Sequence, residues 1–116
     1  MAEVIHQPGC TVIELGASYD SLDLDSLDEV GGMLLTQAAT AEPPRLVLDM
    51  SQTGFIGSTF IELLVRTWKR LTERGGTMVL CGLQPFCAEV FRVTRLETLW
   101  HCCPTRAEAV TALLSG

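Results

Sequence analysis

The sequence predicts a single α/β domain, residues 1–116, whose parallel or mostly parallel sheet carries helices. Two observations support this fold class. Apolar runs of strand length alternate along the chain with amphipathic segments of helix length, in the order strand, helix, four times over. The chain has 116 residues, of which 47% are hydrophobic and 19% charged, a balance that suits one compact core.

The first strand is predicted at residues 10–15, where apolar and polar side chains alternate. Ser26 and Glu29 have the spacing of a capping box, so the first helix should begin at Ser26. It should end before Pro43, because the residue that precedes a proline avoids the helical region. Its buried stripe is formed by residues three to four apart, namely Leu27, Val30, Leu34 and Ala38.

The second half of the chain repeats this alternation. The segments 45–49 and 77–81 have continuously apolar interiors, at 46–48 and 78–81, as is typical of strands buried on both faces. A helix is predicted between them at 58–74. Its inner face comprises Ile61, Leu64, Val65, Trp68 and Leu71.

Three shorter elements are predicted to complete the fold. A short helix should begin beside Pro85, and its periodic apolar residues are Phe86, Val90 and Val93. An edge strand is expected at residues 99–103. The capping-box pair Thr105 and Glu108 then opens a terminal helix. Its inward residues are Val110, Leu113 and Leu114.

Charge and hydropathy exclude two classes of partner. The net charge is −6, with −8 on residues 1–60 and +2 on residues 61–116, whereas a nucleic-acid binder needs clustered Lys and Arg. No apolar run approaches the roughly 18–20 residues of a membrane span, so we expect no membrane insertion. The first nine residues lack the charged and apolar regions of a signal peptide, which favours a cytoplasmic location.

The sequence offers little that resembles a catalytic or metal site. His101, Cys102 and Cys103 are adjacent, and adjacent ligands rarely all face one tetrahedral ion. Cys10, Cys81 and Cys87 complete an odd set of five cysteines, which we interpret as reduced thiols that fill apolar space. We therefore expect no catalytic residue, no metal and no cofactor. A small thiol-based enzyme stays open as a minor alternative.

The junction at residues 49–60 is the most informative segment. A buried strand runs into a loop, and two hydroxyls, Ser58 and Thr59, stand where an amphipathic helix begins. Ser58 could simply be the N-cap of this helix. Alternatively, Ser58 or Thr59 accepts a phosphate, since the free N–H groups and positive dipole end of a helix N-terminus favour an anion.

A series of landmarks follows the same order along nearly the whole chain. They are Asp20, Leu-Val-Leu-Asp at 46–49, Phe55-Ile56, the two hydroxyls, Arg-Gly-Gly at 74–76, Met-Val-Leu-Cys-Gly at 78–82, Pro85 and Phe-Arg-Val-Thr-Arg-Leu at 91–96. With this order and spacing, the chain resembles the STAS domain of bacterial anti-sigma factor antagonists. The resemblance implies a small mixed β-sheet with helices packed mainly on one face.

The resemblance also implies a function, partner switching in the control of transcription. An unphosphorylated antagonist of this family binds a serine kinase that has a histidine-kinase-like ATPase domain and also acts as the anti-sigma factor. The sigma factor is thereby freed. Phosphorylation of the antagonist at the N-terminus of the helix that carries the two hydroxyls breaks the complex. A phosphatase then removes the phosphate and restores binding.

The family's phosphoacceptor matches Ser58, with Thr59 as the alternative. Where the family commonly has Asp-Ser-Ser-Gly, this chain has Gly57, Ser58, Thr59 and Phe60. Phe60 could crowd a kinase that docks at Ser58 or give an apolar anchor to a different partner. The predicted partner-binding residues are Asp20, Gly57, Ser58, Thr59, Phe60, Gln84 and Pro85.

A second function stays open beside the switch. The chain could be a constitutive STAS binding module in an ABC-type lipid transporter or a signalling scaffold, without phosphoregulation. Exposed sheet edges would permit a weak dimer, so we expect either a monomer or a weak dimer.

Overall fold

A computed structural model describes residues 2–115, with the side chains of residues 2–114. Strands and helices alternate within this range as the sequence predicts. In chain order they are β1 (Glu3–Gln7), β2 (Cys10–Glu14), β3 (Ser18–Tyr19), α1 (Leu24–Thr40), β4 (Arg45–Asp49), β5 (Phe55–Ile56), α2 (Ser58–Glu73), β6 (Thr77–Cys81), α3 (Pro85–Val93), a 3-10 turn (Leu96–Thr98), β7 (His101–Cys103) and α4 (Arg106–Ser115).

The main sheet is mixed and has the strand order β1-β2-β4-β6-β7. Strand β1 is antiparallel to β2, and the other neighbouring pairs are parallel. Strand β1, which was not predicted, reaches β2 through a tight turn at Pro8 and Gly9. Gly9 has φ +85°, a conformation that glycine adopts without strain. A second, two-stranded parallel sheet joins β3 to β5.

Alternate residues of each central strand face two separate cores. Along β4, Leu46 and Leu48 point to the core that helices α1, α2 and α3 cover, whereas Val47 points to the opposite core. Helix α4 covers that second face, through Ala109 and Leu113. Three of the four α-helices thus lie on one face, which confirms the predicted fold class.

Helix α1 begins earlier than predicted. Its N-cap is Asp23, whose carboxylate accepts hydrogen bonds from the Ser26 backbone N–H at 3.2 Å and the Ser26 hydroxyl at 2.9 Å. The predicted Ser26–Glu29 capping box is therefore wrong. The aspartate one turn ahead is an equally good cap, and its use moves the N-cap three positions towards the N-terminus of the chain.

The predicted inner face of α2 is partly wrong. Leu64 and Leu71 are buried as expected, whereas Ile61, Val65 and Trp68 pack against the same core but stay half-buried. The remaining buried residues of the helix are Phe60, Leu63 and Thr67. The buried face is rotated from the predicted one because α2 packs against α1 as well as against the sheet. Thr67 can be buried on this face because its hydroxyl donates to the Leu63 carbonyl at 2.7 Å.

Two corrections concern the end of the chain. Strand β7 is shorter than predicted, because the 3-10 turn occupies Leu96–Thr98 just before it. In α4 the inward residues are Ala109 and Leu113, whereas Leu114 is 47% exposed. The predicted cap of α4 is confirmed, since the Thr105 hydroxyl accepts the Glu108 backbone N–H at 3.2 Å.

Candidate functional site

The candidate site lies where β5 ends and α2 begins. Ser58 is the first residue of α2, at the helix start where the sequence places it, and its side chain is exposed. The N-cap is Gly57, in an extended conformation, so the simpler interpretation of Ser58 as the N-cap is wrong. The hydroxyl of Ser58 is thus left on the surface of the first helical turn.

The loop between β3 and α1 forms one side of the site. Because β3 pairs with β5, the Gly57 N–H donates to the Tyr19 carbonyl at 2.8 Å. The residues that follow Tyr19 then lie beside the N-terminus of α2. There the Ser21 hydroxyl accepts the Thr59 backbone N–H at 3.4 Å. The neighbouring Asp20 is exposed and accepts the Leu22 N–H at 2.9 Å.

The loop between β6 and α3 forms the other side. Gln84 donates its side-chain amide to the Ser51 carbonyl at 2.8 Å, which ties this loop to the one between β4 and β5. Pro85, exposed, is the first residue of α3. Next to it, Phe86 stacks on Phe55 of β5, with ring centroids 5.4 Å apart.

We call this region the helix-mouth surface. Its exposed members are Asp20, Leu22, Phe55, Ser58, Pro85 and Phe86, and its half-buried members are Ser21, Gly57, Thr59 and Gln84. Phe55 and Phe86 are 41% and 46% exposed, and Leu22 is 89% exposed. Neither these three residues nor Ser21 could be assigned to the site from the sequence. Exposed apolar residues and cross-loop contacts leave no periodic signal.

Phe60 is the exception among the predicted partner-binding residues. Its side chain is fully buried and stacks on Tyr19, with ring centroids 4.6 Å apart and planes 8° from parallel. The Tyr19 hydroxyl is itself held in place, because it accepts the Gly16 N–H at 2.7 Å. The Phe60 ring therefore belongs to the core, and the expectation that it anchors a partner is wrong.

A charged cluster lies at the carboxyl ends of β2 and β4. Arg106 of α4 donates from Nε to Asp49 at 2.9 Å and also pairs with Glu14. Burial raises the pKa of Asp49, but hydrogen bonds from Ser51 and Arg106 outweigh burial and hold the pKa below its ordinary value of 3.8. Arg106 thus fastens the start of α4 to the sheet.

The five cysteines are free thiols. Burial raises the pKa of each, and in Cys81 it acts together with the nearby Asp49 carboxylate to raise the pKa to about 12. Over residues 2–115, no three His, Cys, Asp or Glu side chains gather into a possible metal site. No helix in that range is long and apolar enough to cross a membrane.

Comparison with known proteins agrees with this geometry. The STAS domain family matches the chain over residues 1–109. The chain belongs to the STAS domain family. The resemblance inferred from the landmark residues is therefore confirmed.

Individual STAS relatives point to the anti-sigma factor antagonists. The structure of an anti-sigma-factor antagonist (STAS) domain protein from Planctomyces limnophilus is 31% identical, with a TM-score of 0.85 over 97% of both chains. An anti-sigma factor antagonist from Mycobacterium paratuberculosis is 24% identical, with a TM-score of 0.80 over 97% of this chain and 92% of that one, and it supports the fold alone.

A curated sequence relative is BtrV of Bordetella bronchiseptica, whose name describes it as an anti-sigma factor antagonist. It is 29% identical over 68 residues, which is 59% of this chain. The match also spans only 59% of the length of BtrV. Within the STAS family, the chain is thus similar in sequence to proteins described as anti-sigma factor antagonists.

Proposed function

We propose that this STAS domain is a protein-binding switch that sequesters an anti-sigma factor and so regulates transcription. Its partner is a serine kinase with a histidine-kinase-like ATPase domain, and phosphorylation of Ser58 releases it until a phosphatase resets the switch. The protein acts in the cytoplasm by binding rather than by catalysis. One observation carries this proposal, the exposed Ser58 within an exposed, partly apolar helix-mouth surface.

The composition of this surface supports a protein partner. Phe55 and Phe86 present a stacked aromatic pair to solvent, and aromatic side chains are enriched at the centres of protein interfaces. Asp20 adds an exposed acid beside them, within the half of the chain that carries a charge of −8. We therefore expect the partner to present an apolar centre with a basic rim.

Of the two hydroxyl residues, Ser58 is the better phosphoacceptor. Ser58 is exposed, whereas Thr59 is half-buried with its backbone N–H engaged by Ser21. A phosphate would bring about −1.5 to −2 charges into an interface that must be desolvated for binding. We therefore expect phosphorylation to weaken binding, because the cost of desolvating these charges opposes the contact.

The test is affinity capture from a lysate of the native cell with wild type, Ser58→Ala and Ser58→Asp. Wild type and Ser58→Ala should both recover an ATPase of the anti-sigma kinase class. Ser58→Asp should lose it, by about tenfold or more if the acid acts on a desolvated contact. Thr111→Asp on α4 is the matched control. It adds the same charge on the opposite face of the sheet and should retain the partner.

The constitutive module is the other outcome of this experiment. Recovery of the same partners with Ser58→Asp as with wild type would contradict phosphoregulation at Ser58. Recovery of transporter subunits or scaffold proteins in place of an ATPase would contradict the anti-sigma partner. Either result would favour a STAS module that binds without a switch.

A further inference from the structure

The N-cap residue of helix α2 makes no side-chain hydrogen bond to the first turn of the helix. The first N–H groups of a helix lack partners within the helix, and Ser, Thr, Asp or Asn side chains at the N-cap commonly accept one of them. Here the N-cap is Gly57, which has no side chain. The acceptor comes from another part of the chain, since the Ser21 hydroxyl oxygen lies 3.4 Å from the Thr59 nitrogen.

The close approach of Ser21 explains the glycine at position 57. A Cβ atom on Gly57 would overlap the Ser21 hydroxyl oxygen, and it would lie 2.9 Å from the Ser21 backbone nitrogen. Any other residue at position 57 would therefore push the Ser21 loop away from the helix. The glycine at position 57 thus leaves room for Ser21, and the Ser21 hydroxyl from the neighbouring loop takes the place of an N-cap side chain.

Ser21 also lies at the centre of a tight turn. The Asp20 carboxylate accepts the Leu22 N–H at 2.9 Å, and the Asp20 carbonyl accepts the Asp23 N–H at 3.0 Å. On the other flank of the turn, the Tyr19 carbonyl accepts the Gly57 N–H. The turn that displays Asp20 and Leu22 thus meets the first turn of α2 through Ser21.

We propose that Ser21 is a positioning residue that relays a change of charge at Ser58 to the turn that carries Asp20 and Leu22. An acid at Ser58 stands one residue from the Thr59 N–H and competes with the Ser21 hydroxyl for it. Loss of that contact releases the turn, so the helix-mouth surface changes shape as well as charge. This inference rests on the proposed function, in which Ser58 is the residue that acquires the charge.

The first measurement tests the cap. In Ser21→Ala, the Thr59 amide should exchange with solvent several-fold faster, as followed by nuclear magnetic resonance, and the midpoint of thermal unfolding should fall by about 3–5 °C. Ser18→Ala is the matched control, because Ser18 is an exposed serine in β3, next to the same loop. Unchanged exchange at Thr59 in Ser21→Ala would overturn the cap.

The second measurement tests the relay, which a merely structural role for Ser21 would not produce. Ser58→Asp should shift the Leu22 amide resonance in the wild-type background. In the Ser21→Ala background the same substitution should shift it by less than half as much, since the connecting contact is gone. Equal shifts in the two backgrounds would overturn the relay.

These experiments use the purified chain without a partner, so their outcome is independent of the switch function. Loss of the ATPase partner in Ser58→Asp together with equal Leu22 shifts would leave the switch standing and refute the relay. A relay in the isolated domain together with unchanged partner capture would refute the switch while the internal coupling holds.

Discussion

Asp49 connects two distant parts of the chain through one buried carboxylate. It accepts the Ser51 N–H at 2.9 Å and the Arg106 Nε–H at 2.9 Å, although it is only 6% exposed. Asp49→Asn keeps the size of the side chain but removes its charge beside Arg106. We expect it to lower the free energy of unfolding at pH 7 by about 1–3 kcal/mol, as measured by urea denaturation.

The effect of Asp49→Asn should depend on pH in a defined direction. The folded-state pKa of Asp49 lies below the ordinary value of 3.8. Its stabilisation is therefore complete above that value and disappears as the pH falls through the folded-state pKa. Wild type and Asp49→Asn should converge in stability only once the pH has fallen below that folded-state pKa. Glu3→Gln, at an exposed position of β1, is the matched control for the loss of one carboxylate. A difference that persists at low pH would contradict this account.

Single residues also show what the sequence reveals about the site. Ser58 could be predicted, because a hydroxyl after an apolar strand and before an amphipathic helix is a local pattern. The burial of Phe60 could not, since it depends on a stack with Tyr19, 41 positions earlier in the chain. The role of Ser21 could not be predicted for the same reason, because its contact with Thr59 joins residues 38 positions apart.

At the scale of elements, α1 and α2 approach each other closely at Gly31, the first of two adjacent glycines. A Cβ on Gly31 would lie 3.1 Å from a methyl of Leu63 in α2, whereas a Cβ on Gly32 would meet nothing within 4 Å. Both glycines are inside α1, where alanine is favoured over glycine by about 0.5–1 kcal/mol. The two positions therefore separate helix propensity from helix packing.

We expect Gly32→Ala to raise the free energy of unfolding by about 0.5–1 kcal/mol, because it gains helix propensity at an exposed position. Gly31→Ala has the same intrinsic gain but must displace Leu63, so it should be clearly less stable than Gly32→Ala. Urea denaturation of the two variants measures the difference. Equal stabilisation by both would show that the α1–α2 contact adapts at no cost.

The central strands could be predicted from the sequence, and the two-residue strands could not. Strands β4 and β6 have the predicted bounds, because a buried strand is a continuous apolar run. Strands β3 and β5 have two residues each, too few for a periodic pattern. The inner face of α2 was misjudged because its second packing partner, α1, has no signature within residues 58–74.

At the scale of the whole molecule, the two-faced sheet distributes the five cysteines among packed environments. Cys10, Cys81, Cys87 and Cys103 are buried, and Cys102 is half-buried. A catalytic thiol needs a lowered pKa and access to substrate. Burial instead raises the pKa of every cysteine here, to about 12 in Cys81. A thiol-based enzyme would require the opposite arrangement.

We therefore expect the thiols of the folded protein to react with a disulfide reagent at pH 8 at least about tenfold more slowly than free cysteine. The rate should increase as the pH is raised, because the thiolate fraction grows as the pH approaches the raised pKa. Unfolding in guanidinium should make all five react rapidly, which is the control for reagent and reduction state. A single fast thiol in the folded protein would contradict the structural role of the cysteines and restore the enzyme alternative.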